Sequence, residues 1–356
     1  MKVLIVGLGG IGQRHVRNLR TLLGAAVDIM AYRIRRESPV LTDKLEVEQG
    51  RTLEEKYNIR VFGNMNQALD QRPEAVFVCN PSSLHISIAM MAAQAGCHLF
   101  IEKPLSQDYN GVEDLINEVE KRNLVSLVGY QMRFHPCILS LRSFLQQRLV
   151  GRILAVRAQV GEYLPGWHKY EDYRQMYASR KDLGGGVILS QIHEMDYLFS
   201  LFGMPHRIFA LGGHLSSLEI DVEDTASILM ECVVEGRSLP VHLHQDYVQR
   251  PPSRTCEIIG DAGKILIDFF ALSVQVFGND GALIENITFE GFQRNQLFLD
   301  ELEHFLECMK GRQSPVVNVR EGAQSLRIAL AAKESLATGQ VVSLKGNDGQ
   351  GEKKSF

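Results

Sequence analysis

The 356-residue chain has no long hydrophobic run, no block of basic residues and a single tryptophan. Without an uninterrupted apolar stretch of about 20 residues it offers no candidate for a bilayer-spanning helix. Without a basic stripe, and with a formal net charge of −4, it carries no electrostatic footprint for nucleic acid. It opens on a strand-like segment, with neither the charged nor the apolar part of a secretion signal, and the expected location is the cytoplasm. Cysteine is sparse: Cys79, Cys97, Cys137, Cys232, Cys256 and Cys308 are scattered, and no two stand in C-x-x-C spacing. They read as reduced and mostly buried, with neither a disulfide framework nor a metal site indicated. No internal repeat is present, and the Gly- and Lys-rich end, 346–356, is expected to be disordered.

What is present begins at the first residue. Val3-Leu-Ile-Val6 reads as a strand buried on both faces, and it ends abruptly in Gly7-Leu-Gly9-Gly10-Ile11-Gly12, the spacing G-x-G-x-x-G. Gly7 suits a tight turn, Gly9 lets backbone N–H groups approach a pyrophosphate, and Gly12 lets a helix lie against the strand. The helix that follows, 14–23, would aim its positive end at the phosphates. After a second strand, 27–31, comes Tyr32-Arg33-Ile34-Arg35-Arg36, where an acidic residue would select NAD. Arginine there can pair with a 2′-phosphate, so Arg33 tilts the expectation from NAD toward NADP. Residues 37–49 carry no clear pattern and read as an exposed insertion.

Ala75-Val-Phe-Val-Cys79 is a clear strand ending in Asn80-Pro81-Ser82-Ser83-Leu84-His85, polar residues at the carboxyl end where open parallel sheets bind ligands. His98-Leu-Phe-Ile101 is another, closed by Glu102-Lys103-Pro104. A lysine at that strand end points into the crevice shared with Asn80 and Gly9, and could stabilise negative charge developing on a substrate oxygen. Strand, helix and strand recur at short spacing, the rhythm of a parallel sheet wrapped by helices.

From Arg152 onward the texture changes to long alternating stretches, such as 226–234 and 239–247, which suggest a large antiparallel sheet. His242 and His244 share one face of it, as a polar face or subunit contact rather than a metal site. An insertion holding Trp167, His168, Tyr173 and Arg180 has the mix of aromatic and polar groups that suits a sugar ring. Gly184-Gly185-Gly186 then opens a helix, 187–202, whose spacing places Ser190, Asp196 and Tyr197 beside His193. The glycines would let the helix start approach a ligand closely, which makes His193 a candidate acid or base.

Four separated stretches, Gly7 to Gly12, Asn80-Pro81, Glu102-Lys103-Pro104, and Gly184-Gly-Gly186 with His193-Glu-Met-Asp196, resemble the Gfo/Idh/MocA oxidoreductases, the glucose-fructose oxidoreductase and inositol dehydrogenase group. The stretch from Glu321-Gly322 to Gly339 is similar as well. The resemblance implies an α/β protein with an N-terminal Rossmann dinucleotide-binding domain, 1–125. A C-terminal α/β domain, 126–345, would carry a large, mainly antiparallel open sheet and form a homodimer or homotetramer through it. It implies hydride transfer between NAD or NADP and a hydroxyl-bearing carbon of a sugar, polyol or nucleotide sugar. Lys103 would polarise the reacting hydroxyl and His193 would exchange its proton. Gly7, Gly9, Gly10, Ile11, Gly12, Arg33, Asn80, Pro81, His85, Glu102 and Lys103 are the expected cofactor contacts. Arg133, Trp167, His168, Tyr173, Arg180 and Ser190 are the candidate substrate contacts.

One departure stands out. Many members of the family carry an aspartate three or four residues before the histidine, where this chain has Ser190 and Leu189. Serine cannot supply the charge that favours imidazolium, so either Glu194, Asp196 or Asp182 takes over, or the substrate itself supplies the charge, or catalysis is weak. Weak catalysis would fit family members that bind cofactor and ligand for regulation without turnover, and a third reading is a glycosidase of the same fold that recycles NAD.

Overall fold

The computed structural model describes residues 1–34 and 38–344. The expectations for Arg35, Arg36 and the tail therefore lie outside the described residues.

Six parallel strands form the first sheet: β1 (Lys2–Val6), β2 (Asp28–Tyr32), β3 (Arg60–Phe62), β4 (Ala75–Val78), β5 (His98–Ile101) and β6 (Ser126–Val128). Their spatial order is β3-β2-β1-β4-β5-β6. Val3 to Val6 are buried on both sides, as a strand covered by helices on each face must be. Strand order reverses between β1 and β4, so the carboxyl ends of β1, β4 and β5 open into one crevice. The sheet runs past residue 125, because β6 is its last strand.

Residues 37–49 are not a wholly exposed insertion. Val40–Leu41 and Val47–Glu48 pair as a small hairpin, and Val40 and Leu41 are buried. Gln13, on α1 (Gly10–Leu23), anchors it: the amide donates to Leu8 O and Pro39 O and accepts from Leu41 N. A buried glutamine on a helix gives no local sign of such a distant partner.

Nine strands form the second sheet: β7 (Ile153–Gly161), β8 (Arg207–Gly213), β9 (Thr225–Val234), β10 (Arg237–Asp246), β11 (Ser253–Gly260), β12 (Gly263–Asp268), β13 (Ser273–Gly278), β14 (Leu283–Thr288) and β15 (Val342–Ser343). Their order is β14-β13-β12-β11-β7-β10-β9-β8-β15, antiparallel except for β7 with β10. In β9, Ala226, Ile228, Met230 and Cys232 face the core, while Leu229 and Val233 face outward and are exposed. His242 and His244 share that outer face, opposite Leu229 and Ser227.

Helices α2 (Leu53–Tyr57), α3 (Met65–Leu69), α4 (His85–Gln94), α5 (Val112–Lys121) and α6 (Pro136–Gln146) follow α1, and two later helices tie the halves together. On α9 (Asn295–Met309), Leu302, Phe305 and Leu306 join the core on one face of the first sheet. Phe305 packs edge-on against the stacked rings of Phe77 and Phe100, at 5.6 Å from each. On α10 (Val319–Thr338), Gly322 lies so close to β6 that a Cβ there would stand 2.6 Å from Val128 Cγ2. The chain thus returns to the first domain, and no single cut in sequence separates the two. Among the described residues no helix is long and apolar enough to cross a membrane.

Candidate active site

The carboxyl ends of β1, β4 and β5 form one wall of the crevice. Gly7 has φ +92°, and a Cβ on it would lie 2.9 Å from Cys79 O, so the turn after β1 requires glycine. At Gly12 a Cβ would stand 2.0 Å from Gly7 O, which only glycine avoids. Gly9 is different: a Cβ there meets nothing within 4 Å. Gly9 starts α1 without a side-chain cap, and the first helical bond is Gln13 N to Gly9 O at 3.0 Å. The preceding amides therefore lack partners within the helix, and the turn borders open space at Gly9. Asn80 Oδ1 is buried without a partner. Amides at a helix start, room over Gly9 and an unsatisfied amide oxygen at the end of β4 fit a dinucleotide with its pyrophosphate over the turn.

Two expected cofactor contacts are engaged elsewhere. Arg33 forms an ion pair with Glu54 on a short helix, Leu53–Tyr57, so an acid of the chain itself already occupies its guanidinium. His85 is buried, with Nε2 2.8 Å from Asn80 O and Nδ1 2.9 Å from Pro104 O. Its ring holds the loops after β4 and β5 together instead of facing the crevice, and burial lowers its pKa.

Glu102 is built in as a support. Its Oε1 lies 2.7 Å from His15 Nε2, and its Oε2 accepts from Lys103 N at 3.3 Å. Gly129 leaves room for it, since a Cβ there would stand 3.3 Å from Glu102 Oε2. Lys103 Nζ crosses the cleft and donates to Ser190 O at 2.8 Å, with Tyr177 Oη at 3.4 Å.

The expected single helix over 187–202 is broken into α7 (Val187–Ser190) and α8 (His193–Phe202). Gln245 Nε2 donates to Gln191 O at 2.6 Å, and Gln191 Nε2 donates to Asp246 O at 3.1 Å. A strand side chain thus takes a carbonyl that a continuous helix would use, and His193 starts the second segment. The glycines before α7 do not make room for a ligand. Cβ atoms on Gly184 and Gly185 would strike Ser82 Oγ at 2.3 Å and Tyr177 O at 2.4 Å, so the close approach is to protein.

His193 is buried, its Nδ1 has no protein partner, and its ring meets Tyr130 edge-on at 6.0 Å. Burial, and then the charges of Lys103, Arg254 and Arg294, hold its pKa well below the usual value. None of the three expected acidic replacements pairs with it. Glu194 is bound by Arg254 at 2.7 Å, Asp196 by Arg133 and Ser325, and Asp182 by Arg180. Glu194 and Asp196 have partners brought by other elements, which the spacing along one helix does not reveal, while Asp182 is held by its near neighbour Arg180.

The substrate candidates divide. Arg133 is spent on Asp196, at 2.6 and 2.9 Å, and is buried; it braces α8. Arg180 pairs with Asp182 at the surface, and the hydroxyl of Tyr173 accepts from Glu219 N. His168 pairs with Glu171 and stacks on Tyr170, centroids 5.1 Å apart. Trp167 packs edge-on against Tyr247, its indole N–H buried without a partner. Ser190 is buried, and its carbonyl is what holds Lys103. Sequence reasoning missed Tyr177 beside Lys103 and Tyr170, whose hydroxyl lies 3.2 Å from where a Cβ on Gly10 would be. It also missed Arg254 and Arg294, which act on His193 from remote segments. No local motif marks any of the four.

Comparison with known proteins matches residues 1–130 to the model described as an oxidoreductase family with an NAD-binding Rossmann fold. Residues 138–266 match the GFO/IDH/MocA C-terminal domain. A myo-inositol 2-dehydrogenase of Thermotoga maritima is 26% identical, over 97% of this chain and 99% of its own. Two solved structures share the fold: the WlbA dehydrogenase of Bordetella pertussis with NADH and UDP-GlcNAcA, and a levoglucosan dehydrogenase with NADH and levoglucosan. The first has TM-score 0.79 at 19% identity, covering 97% of this chain and 98% of that one. The second has TM-score 0.80 at 18% identity, covering 96% and 99%.

Proposed function

The chain belongs to the Gfo/Idh/MocA oxidoreductase family, and from that premise we propose that it transfers hydride between a nicotinamide and a hydroxyl-bearing carbon of a sugar, polyol or nucleotide sugar. One observation carries the reading: Lys103, at the end of β5, reaches the carbonyl of Ser190 on the second domain, three residues before His193. The nicotinamide, when bound, accepts or supplies the hydride. Lys103 Nζ donates to the substrate oxygen and stabilises it as its proton leaves. His193, neutral because burial and neighbouring cations lower its pKa, takes that proton in the oxidising direction and returns it in the reverse one. Glu102 and His15 fix the backbone that carries Lys103.

The cofactor we favour is NAD, because Glu54 already neutralises Arg33 and leaves it a poor receptor for a 2′-phosphate. The outer face of the second sheet, bearing Leu229 and Val233, joins copies of the chain.

The decisive experiment measures turnover of polyols and nucleotide sugars with both cofactors, together with NADH affinity. Lys103→Met and His193→Asn should each lose about a hundredfold or more in kcat and keep NADH affinity within about threefold. Because the His193 pKa is depressed, wild-type oxidation should hold its rate as pH falls through 6.5, where an ordinary histidine would protonate. Near-native turnover in either variant overturns the assignment, and equal kcat/KM with NADP overturns the cofactor choice. Nucleotide binding without turnover of any substrate would favour the regulator, and turnover without net cofactor consumption the glycosidase.

A further inference from the structure

A group of cations gathers beyond His193, and hydride transfer uses it only to help keep that ring neutral. Arg254, on β11, is clamped to the buried Glu194 at 2.7 Å, which fixes its guanidinium near His193. Arg294 stands at the start of α9 between two anchored neighbours. Phe292 packs on His135, ring centroids 5.6 Å apart. Asn295 donates to Asn18 at 2.9 Å and accepts from Arg14 at 3.2 Å. These anchors hold Arg294 where the domains meet, close enough for its charge to act on His193 and Arg14 and to feel that of Arg254. It is exposed to solvent.

Despite this position, Arg294 makes no side-chain hydrogen bond and no ion pair among the described residues. Its compensation comes from Glu162, whose charge Arg254 shares. Cations held near one another without a full set of counter-charges repel, and an arriving anion relieves that repulsion. Planar guanidinium groups suit oxyanions in particular.

Resting on the catalytic reading above, we propose that Arg294, with Arg254 behind it, receives an oxyanion carried by the substrate, so that the chain acts on an acidic or phosphorylated sugar in preference to a neutral polyol. The oxyanion could also come from the cofactor pyrophosphate, since Arg14 lies on the nucleotide side. The other charged groups that Arg294 feels or acts on, Arg254, Glu162 and His193, belong to the substrate side, and they favour the substrate.

The test is calorimetric titration of the NADH-loaded protein with matched probes: glucuronate, glucose 6-phosphate and glucose, then UDP-glucuronate and UDP-glucose. In at least one pair the charged member should bind about tenfold tighter or more, and Arg294→Gln should abolish that preference while NADH affinity stays within about twofold. Arg294→Lys, which keeps the charge but not the fork, should retain part of it. The carboxylate and phosphate arms identify which oxyanion is read. Equal binding within every pair, or binding of no probe, overturns the proposal. So does a loss of NADH affinity in Arg294→Gln, which would assign the residue to the pyrophosphate. Failure of the catalytic reading shows separately, as turnover that survives Lys103→Met while the calorimetric preference is intact.

Discussion

In the six-stranded sheet both faces are covered and the cleft residues sit at strand ends, each inside a short contiguous motif. In the nine-stranded sheet one face is bare, and the residues that complete the cleft come from a broken helix, a strand and the start of a distant helix. The first wall is built mainly from backbone, at Gly7, Gly9 and Gly12, with Asn80 and Lys103 at fixed offsets from buried strands. The second is built from side chains that meet only after the whole chain has packed: Tyr177, His193, Arg254 and Arg294. A local wall can be broken by one methyl group, whereas a distributed wall is broken by charge or geometry supplied from elsewhere.

The largest effect is therefore expected at the glycine turn, and its two glycines should part company. Gly12→Ala places a Cβ 2.0 Å from Gly7 O, a clash with backbone that no rotamer relieves. It should abolish measurable NADH binding and lower the melting temperature by several degrees or prevent folding. Gly9→Ala meets no protein atom within 4 Å. It should melt within about 2 °C of wild type, since an exposed substitution costs little, and still lose most NADH affinity, because the space it fills is the one assigned to the pyrophosphate. Fluorescence titration and thermal melting read both. Native affinity in Gly9→Ala would remove the dinucleotide from that turn.

The same contrast explains what could be read from the sequence. Buried strands announce themselves as short apolar runs, and the motifs that close them lie in the next few residues, so the first wall, Lys103 included, was legible. The alternation 226–234 likewise revealed the second sheet, because its period of two reflects a single buried face. The break before His193 was not legible, since it depends on Gln245 capturing the Gln191 carbonyl. Nor were the partners of Arg33 and Arg133: a charged side chain in a sequence carries no mark of which acid will meet it. Arg33 has the position of a phosphate receptor but meets its acid in Glu54, and Arg133 has that of a substrate contact but meets Asp196.

The bare face offers the next test. Leu229 is half exposed at the middle of β9 and lies opposite His242. Leu229→Glu should cost a monomer less than about 0.5 kcal/mol, because nothing of the chain's own core covers it. A charge in the desolvated centre of an isologous contact is far more costly. Light scattering should show the wild type as a dimer or tetramer and the variant as single chains. A monomeric wild type, or an unchanged mass for the variant, would leave this face without an interface.

The smallest expected effect lies under the first sheet, at a carboxyl that the chemistry does not use. Glu301, on α9, is fully buried, and neither carboxyl oxygen has a partner. Burial above all, and then the charges of Glu102 and Asp196, raise its pKa well above the ordinary value. A raised carboxyl pKa makes the folded state the tighter proton binder. Its contribution to stability is therefore fully present below the unfolded value of about 4.3 and is lost as pH rises toward the folded one, at a limiting slope of about 1.4 kcal/mol per pH unit. Glu301→Gln removes that titration without changing the shape. Whatever constant offset the amide brings, the melting temperature of the variant minus that of wild type should grow steadily between pH 5 and pH 8, by a few degrees in all. A difference that stays flat across that range would mean that Glu301 is ionised in the folded protein and that a cation meets it in the core beneath the first sheet.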